Sequence, residues 1–326
     1  MSSSEGIRQG IYQSKLIRNF TRWLDATPHP LIACEVTPTY AAAARWTHAG
    51  GLDGFAMEPI PSGAIVPTAV ETNLADPAAV RSAVGKVFAR LHAKPQDVAL
   101  LVPDSVIRVF VLHFDTFPRN ASEAIPMLRW RLKKSVPFEA EETLISYMRQ
   151  EPRDEGVDVV TGLARLRIIR EYETLIESVG MAPGIVLSSS LAALPLLNDT
   201  RPALMARISG RALTTAIVRN GVLCGFRCIE LPVEASALTA QGLLDEIFPL
   251  AAYYQDTWQE GIALVRLAGL ADRLSDFVPV LQSELNCPVS SLLSAAATEG
   301  RIGGDARPLA ERELDALIGW TLNRGA

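Results

Sequence analysis

The chain has 326 residues, of which 48% are hydrophobic, and its formal net charge is −5. This length and hydrophobic content allow one large or two ordinary domains to bury a core. A net negative charge provides no extended region of positive electrostatic potential, so a DNA- or RNA-binding function is not expected. Four cysteines, Cys34, Cys224, Cys228 and Cys287, are too few for a disulfide scaffold. We interpret them as buried thiols rather than metal ligands.

The N-terminal region has neither a membrane span nor a secretion signal. No stretch of the chain approaches the roughly 18 consecutive apolar residues of a membrane span. The first ten residues lack the basic and apolar regions of a signal peptide, so we expect a cytoplasmic protein. Residues 11–24 have apolar side chains at helical spacing, which predicts an amphipathic helix ending before Pro28. This helix either packs on its own domain or serves a membrane or a partner.

The first part of the chain predicts strands followed by a helix and a buried strand. Apolar runs at 31–46 and 54–59 flank the Gly50-Gly51 turn. Asp76 before Pro77 is typical of a helix start, with a carboxylate cap and proline at the first helical position. The wholly apolar run at 98–102 favours a strand that is buried on both faces.

The middle of the chain, about residues 106–182, predicts a small α+β insert. Strands are expected at residues 108–114, 143–149 and 157–166, and helices at residues 122–136 and 171–179. Gly180 is a suitable residue to end the last of these helices. Arg129, Arg131, Lys133 and Lys134 crowd the outside of helix 122–136. They form either an ordinary solvated face or a surface for an acidic partner or phospholipid.

The last part of the chain repeats the plan of the first. Asn220-Gly221 separates the apolar runs 203–218 and 222–231, which is a strong hairpin signal because both turn residues take positive φ. Further elements are expected as helices at 240–259, 272–285 and 314–322 and a strand at 263–268. The repeated plan of hairpin strands, helix and strand indicates two related α/β lobes around a cleft.

Five stretches in this order resemble the PilM family of type IV pilus assembly. They lie at residues 98–107, 133–147, 171–191, 222–229 and 265–289, and the resemblance extends over about residues 30–325. The most characteristic is KKSVPFEAEETLISY at 133–147, where a helix ends at Val-Pro-Phe and a strand follows. The cytoplasmic part of the type II secretion protein GspL has a similar pattern.

The resemblance implies an α/β, actin-like (ribonuclease H-like) fold with two lobes and an inserted subdomain 1C. The implied divisions are an N-terminal extension at 1–27, subdomain 1A at 28–105, subdomain 1C at 106–182, a return to 1A at 183–200 and the second lobe, 2A/2B, at 201–326. It also implies a scaffold or adaptor that binds the N-terminal cytoplasmic tail of a PilN-like membrane protein between 1A and 1C. Such a protein would be peripheral at the cytoplasmic face of the inner membrane, and self-association is left open.

The resemblance gives no residue motif for the tail-binding groove, so the candidates come from this sequence. Alternation along a strand suggests that a peptide could add its backbone there and place side chains in pockets. Basic residues on the neighbouring helix could pair with an acidic residue of the tail. The candidate groove residues are Arg108, Phe110, Leu112, Phe117, Arg131 and Lys134.

The stretch of this chain that matches the family's first phosphate loop differs from the family's pattern. Actin-like ATPases cradle phosphates with the backbone N–H groups of two glycine-rich hairpins and place acidic residues nearby. The first loop should read approximately Asp-Ile-Gly-Ser, whereas this chain has Glu35, Val36, Thr37 and Pro38. Thr37 replaces the glycine, and Pro38 removes an N–H donor and fixes φ.

The second phosphate loop and the adenosine motif also depart from the pattern. The second loop is Arg207-Ile208-Ser209-Gly210, which places a cation where the acidic residue belongs. The adenosine motif is Ala268-Gly269-Leu270-Ala271, in which Leu270 fills space needed by the purine. We therefore expect no catalytic residues, no metal and no cofactor, and weak ATP binding through backbone donors stays open.

Other functional classes find less support in the sequence. Ser188-Ser189-Ser190 lacks the surroundings of a catalytic serine elbow and suits hydroxyl caps at a strand-to-helix junction. His113 and Asp115 have neither a serine nor metal-ligand context. An active actin-like ATP-binding protein of pilus or secretion machinery is the alternative to the adaptor, and a metabolic kinase of the same superfold ranks third.

Overall fold

The structure is a computed structural model that describes residues 29–136, 142–150 and 156–322. The helix predicted at 11–24 lies outside these ranges. The strands are β1 (Ile32–Val36), β2 (Tyr40–Trp46), β3 (Leu52–Pro59), β4 (Asp97–Val102), β5 (Arg108–Phe114), β6 (Thr143–Arg149), β7 (Val157–Arg165), β8 (Ala182–Ser188), β9 (Ala203–Ser209), β10 (Ala212–Arg219), β11 (Val222–Glu230), β12 (Leu264–Ala268) and β13 (Val289–Ser291).

The helices complete the description of the elements. They are α1 (Pro77–Arg90), α2 (Ala121–Leu132), α3 (Leu166–Glu177), α4 (Ser189–Ala193), α5 (Ala240–Trp258), α6 (Leu274–Leu285), α7 (Leu292–Thr298), α8 (Arg307–Ala310) and α9 (Asp315–Leu322). Helix α1 begins as predicted, because the Asp76 side chain accepts a hydrogen bond of 3.0 Å from the backbone N–H of Ala79.

Two five-stranded sheets with the same order form the two lobes. The first sheet runs β3-β2-β1-β4-β8 and the second runs β11-β10-β9-β12-β13. In each sheet the hairpin strands are antiparallel and the other strands are parallel to the central one. The duplicated plan read from the sequence is therefore confirmed.

The inserted segment forms a separate three-stranded antiparallel sheet in the order β5-β7-β6. One face of this sheet packs under α2, where the buried side chains of Leu128 and Leu132 meet Leu163. The other face contributes Val109 and Val160 to a core that it shares with the second lobe. The small subdomain is thus held between its own helix and the second lobe.

One hydrophobic core runs through all three parts of the molecule. It contains Ala33 and Leu101 from the first lobe, Val109 from the insert, and Met205 and Ala216 from the second lobe. The same core includes the short helix α4 and the final helix α9, which cross closely.

The crossing of α4 and α9 depends on Gly319. A Cβ atom added to Gly319 would lie 2.2 Å from the carbonyl oxygen of Ala192. Only glycine fits at this point. Ser188 accepts a hydrogen bond of 3.3 Å from Leu191 N–H, which is the hydroxyl cap expected at this strand-to-helix junction.

Several element boundaries differ from the sequence-based predictions. The runs 31–46 and 203–218 are not single strands, because tight turns at Thr37–Thr39 and Gly210-Arg211 divide each into a hairpin. The helix predicted at 122–136 ends at Leu132, and α3 begins five residues earlier than predicted. Its apolar stripe continues back to Ile168, which is fully buried. The Asn220-Gly221 turn is confirmed, with φ of 49° and 73°.

Candidate functional site

The cleft between the lobes contains a buried arginine surrounded by three carboxylates. Arg207 Nε lies 2.9 Å from Asp315 Oδ2, and Arg207 Nη2 lies 2.9 Å from Glu35 Oε1 and 3.0 Å from Asp315 Oδ1. Arg207 Nη1 lies 3.7 Å from Asp104 Oδ2. The side chains of all four residues are 0–4% exposed. We call Arg207, Glu35, Asp104 and Asp315 the Arg207 cluster.

The topology of the two sheets brings the members of the Arg207 cluster together. Glu35 lies in β1, Asp104 follows β4 directly after Pro103, and Arg207 lies in β9. Strands β1 and β9 are the central strands of the two sheets, and β4 runs parallel to β1. Their carboxyl ends face the crevice between the lobes, which is where α/β sheets commonly bind ligands. Asp315 is the first residue of α9. The cluster therefore joins four elements from both lobes.

Further donors satisfy the carboxylates of the cluster. Asp104 accepts hydrogen bonds of 2.8 Å from Ser190 N–H and 2.9 Å from the Thr214 hydroxyl, as well as one from the Ser190 hydroxyl. Glu35 accepts a hydrogen bond of 3.0 Å from the Tyr40 hydroxyl. Buried charges are stable only when they are paired and hydrogen-bonded in this way.

Burial and neighbouring charges set the protonation of the cluster. Burial raises the pKa of Glu35, Arg207 opposes this effect, and the Asp315 carboxylate reinforces it. Burial alone would lower the pKa of Arg207, but the carboxylates of Asp315 and Glu35 more than offset it and hold that pKa well above its usual value. Arg207 is therefore a permanent cation in this site. Burial followed by the Glu35 charge also raises the pKa of Tyr40 well above its usual value.

The first predicted phosphate loop, between β1 and β2, uses its own N–H groups internally. The N–H groups of Thr39 and Tyr40 donate to Thr37 Oγ1 at 3.3 and 3.0 Å. The N–H of Thr37 donates to the Tyr40 carbonyl at 2.8 Å. Pro38 has no N–H. A phosphate group would have to displace these internal hydrogen bonds to be bound here.

The second predicted loop lies directly against the first. Gly210 has a φ of 59°, and a Cβ atom added to it would lie 3.5 Å from Pro38 Cγ. Ser209, the last residue of β9, is half-buried beside it. The tips of the two hairpins are thus in contact at the place where the resemblance puts the phosphates.

The predicted adenosine motif packs against strand β9. Gly269 has a φ of 77°, and an added Cβ atom would lie 1.9 Å from the carbonyl oxygen of Ile208. Leu270 is buried in the core of the second lobe. Gly269 is therefore required by the close approach of two backbone segments.

The residues proposed for the partner groove are not brought together on one surface. Phe110 and Leu112 pack against the subdomain core beneath α2, and Phe117 is buried in that core. The Phe117 ring lies 5.4 Å from that of Tyr147 and below the Arg149 guanidinium, so Phe117 does not line the mouth of a groove. Arg131 and Lys134 are exposed on the outer side of α2, and Arg108 is half-buried in β5.

A different cavity lies between α1 and α3, two helices whose buried side chains share one core with the first sheet. It has a volume of about 390 Å³ and is bordered by α1, α3 and the loop before α1. The residues that line it are Thr72, Leu74, Pro77, Arg81, Arg167, Arg170, Glu171, Thr174 and Leu175. Arg167 and Arg170 pair with Glu71 at 3.6 Å and Glu173 at 3.0 Å. Apolar side chains and three arginines thus surround one concave site.

Sequence reasoning missed Asp104, Asp315 and Tyr40. The position of Arg207 could have indicated the cluster. It is a charged residue inside the apolar strand ALMARIS, and a buried charge must be paired. The position of Asp104 was a second indication, because it comes two residues after a strand that is buried on both faces. Nothing local marks Asp315, which comes more than 100 residues after Arg207.

Comparison with known proteins supports the fold and no more. No protein-family model matches the chain, and a search of curated proteins finds no relative. The solved PilM-PilN type IV pilus biogenesis complex contains a chain that is similar at 15% identity, with a TM-score of 0.70 over 92% of this chain and 100% of that one.

Two further solved structures are more distant. A Bacteroides thetaiotaomicron protein with an actin-like ATPase fold and unknown function has a TM-score of 0.48 at 9% identity, over 82% of this chain and 95% of its own. The cytoplasmic domain of EpsL, an inner-membrane component of the type II secretion system of Vibrio cholerae, has a TM-score of 0.47 at 12% identity, over 82% and 93%. The actin-like two-lobe fold that the sequence predicted is confirmed by the first of these three likenesses.

Proposed function

We propose that this protein is an actin-like adaptor of a type IV pilus assembly complex, and that it does not turn over nucleotide. Its partner would be the N-terminal cytoplasmic tail of a PilN-like membrane protein, and it would lie in the cytoplasm at the face of the inner membrane. The fold likeness to a chain of the PilM-PilN complex supports the partner class. No helix within the described ranges is long and apolar enough to cross a bilayer, which agrees with attachment through a partner.

The Arg207 cluster is the observation that carries the nucleotide part of the proposal. Phosphoryl transfer in this superfold needs a metal ion beside acidic residues and N–H donors around the phosphates. Here the Arg207 guanidinium already neutralises Glu35 and Asp315 in the cleft. The N–H groups of the first loop are occupied, and the two hairpin tips touch. Mg-ATP would have to break a buried ion network before it could bind.

The cavity between α1 and α3 is our candidate for the tail-binding groove. It lies beside the point where strand β7 of the insert leads into α3, close to where the resemblance implies the tail, and it replaces the β5 surface considered from sequence. Leu74 and Leu175 offer an apolar floor, and Arg81 offers an exposed cation. An extended peptide could anchor one apolar side chain there and pair a carboxylate or carbonyl group with the arginines.

A binding titration tests the adaptor function. A peptide that copies the cytoplasmic tail of the PilN-like protein from the same host should bind the full chain, and Arg81→Glu should weaken binding at least about tenfold. Lys86→Glu is the matched control, since it reverses an exposed charge on the same helix outside the cavity. If no such tail binds, the adaptor proposal is wrong. If binding persists in Arg81→Glu, the site lies elsewhere.

A second titration tests the nucleotide part. Mg-ATP should produce neither a rise in melting temperature nor phosphate release above background. A ligand present at 100 times its Kd would add about 2.7 kcal/mol of stability, which is easily measured. Such a rise would favour the alternative, an active actin-like ATP-binding protein.

A further inference from the structure

Helix α2 presents a tryptophan to solvent. Trp130 is 78% exposed, more than the other large hydrophobic residues that are exposed in the described part of the chain. The next most exposed is Phe248 at 59%. An indole ring carries a large apolar surface together with a polar N–H, and such a ring is usually buried or placed at an interface. The exposure of Trp130 therefore calls for a partner surface.

The helical geometry explains why Trp130 points away from the protein. Ala124, Leu128 and Leu132 fall on one side of α2 and are buried in the core of the insert. At 3.6 residues per turn, position 130 lies on the opposite side of the helix. Lys133 and Lys134 follow one turn later, and both are exposed. The outward face at this end of α2 thus combines the indole with amino groups.

The charged residues within four positions of Trp130 along the chain are all positive. Arg131, Lys133 and Lys134 are exposed, and half-buried Arg129 flanks them. Among the residues that the structure describes, no carboxylate forms an ion pair with any of these four. Basic residues in a last helical turn do stabilise the helix dipole. That effect accounts for one or two charges and does not account for the tryptophan.

We propose that the Trp130 surface, which consists of Trp130, Arg131, Lys133 and Lys134, contacts an anionic phospholipid bilayer. The four side chains lie at the end of one helix and combine an exposed indole with exposed cationic groups. Indole rings settle at the level of lipid headgroups, and long basic side chains reach the phosphates around them. The protein as a whole has a net charge of −5, so this basic face would orient the molecule on the membrane.

This contact goes beyond the adaptor function and does not depend on it. Each Lys or Arg near an anionic surface strengthens binding by about fivefold, so three exposed charges give about a hundredfold. Such attachment is reversible and requires a second anchor to be stable. A membrane-bound tail held elsewhere on the molecule would provide one.

Vesicle flotation with the full chain tests the proposal. The wild type should float with vesicles rich in phosphatidylglycerol and should not float with vesicles of phosphatidylcholine alone. Trp130→Ala should reduce the partition coefficient onto these vesicles about fivefold, and the combined variant Arg131→Ala/Lys133→Ala/Lys134→Ala should reduce it about a hundredfold. Added salt should release the wild type, because exposed charges are screened within about 10 Å at moderate ionic strength.

Matched variants separate this surface from others. Phe248→Ala removes an exposed aromatic ring elsewhere, and Lys86→Ala/Lys94→Ala/Arg312→Ala removes three exposed charges elsewhere; both should float like the wild type. Loss of flotation confined to Trp23→Ala would assign membrane contact to the N-terminal segment and overturn the proposal. The proposal would also be overturned if the wild type failed to float with anionic vesicles but bound immobilised polyglutamate. That result would indicate that the Trp130 surface binds an acidic protein instead of a membrane.

Discussion

Arg207 Nη2 and Glu35 Oε1 lie 2.9 Å apart, and this ion pair joins the central strands of the two lobes. Glu35 belongs to β1 and Arg207 to β9, which occupy equivalent places in their sheets. The pair lies at the cleft on which the resemblance centres the nucleotide. A buried ion pair between protein groups thus links the two lobes across the cleft.

Removal of the Arg207 guanidinium should destabilise the fold strongly. Arg207→Leu leaves Glu35, Asp104 and Asp315 buried without a counter-ion. We expect the free energy of unfolding, measured by urea denaturation, to fall by about 3–5 kcal/mol. Arg211→Leu is the control, because Arg211 is half-exposed and its pair with Glu230 at 3.3 Å should contribute less than about 1 kcal/mol. If both substitutions lowered the free energy of unfolding equally, the Arg207 cluster would contribute no more to stability than an exposed ion pair.

Truncation of Arg207 should also create a cation site. Arg207→Ala would leave three carboxylates around a vacated position, and hard divalent cations prefer oxygen ligands. We expect Mg²⁺ or Ca²⁺ to raise the melting temperature of Arg207→Ala and to leave that of the wild type unchanged. If neither ion changed the melting temperature of Arg207→Ala, then Glu35, Asp104 and Asp315 would be unable to bind one metal ion together.

Glu35 should make stability depend on pH. Burial raises its pKa above the ordinary value of 4.5, so the folded state binds a proton that the unfolded state has already lost. This stabilising contribution is complete below about pH 4.5 and is lost as the pH rises through the raised pKa. Glu35→Gln has no such proton. Relative to the wild type, the variant should therefore gain stability with rising pH in this window, at up to about 1.4 kcal/mol per pH unit.

The comparison needs unfolding curves over a pH series. Glu311→Gln, at an exposed position, should run parallel to the wild type. If the curves of Glu35→Gln and the wild type were also parallel, the folded state would hold Glu35 at its ordinary pKa.

Gly269 should be required for packing rather than for a purine. Gly269→Ala would push a methyl group to within 1.9 Å of the Ile208 carbonyl oxygen. Gly300→Ala is the matched control, since Gly300 has a similar φ of 72° but nothing within 4 Å of the added atom. Both variants carry the backbone strain of about 1–2 kcal/mol. Only Gly269→Ala should lose a further 1–3 kcal/mol or so from overpacking, as measured by thermal unfolding. Equal losses would argue against the close approach.

Local patterns predicted most elements of the fold. Asp76-Pro77 marked the start of α1, and Asn220-Gly221 marked the β10–β11 hairpin, because capping and positive φ are set by neighbouring residues. The turns at Thr37–Thr39 and Gly210-Arg211 were hidden inside long apolar runs. Both strands of each hairpin are buried, so the apolar pattern resumes directly after the turn residues Thr37–Thr39 and Gly210-Arg211.

The candidate site was predicted only in part. The sequence singled out Arg207 and Glu35 as departures from a family pattern, but it did not show that they touch. Their partners Asp104 and Asp315 come from distant positions that only the topology unites. Phe117 was assigned to the tail-binding groove, whereas it is a core residue. Its truncation to alanine would cost about 3–5 kcal/mol and would obscure any effect on binding.

The shared core has a mechanical consequence. Val109 and Val160 of the insert and Met205 and Ala216 of the second lobe lie in one packed cluster, and Gly319 lets α9 cross α4 without a gap. Close-packed interiors have low compressibility and pass strain on to their neighbours. A force applied to the insert would therefore be passed directly to strands β9 and β10 of the second lobe instead of being absorbed at a hinge.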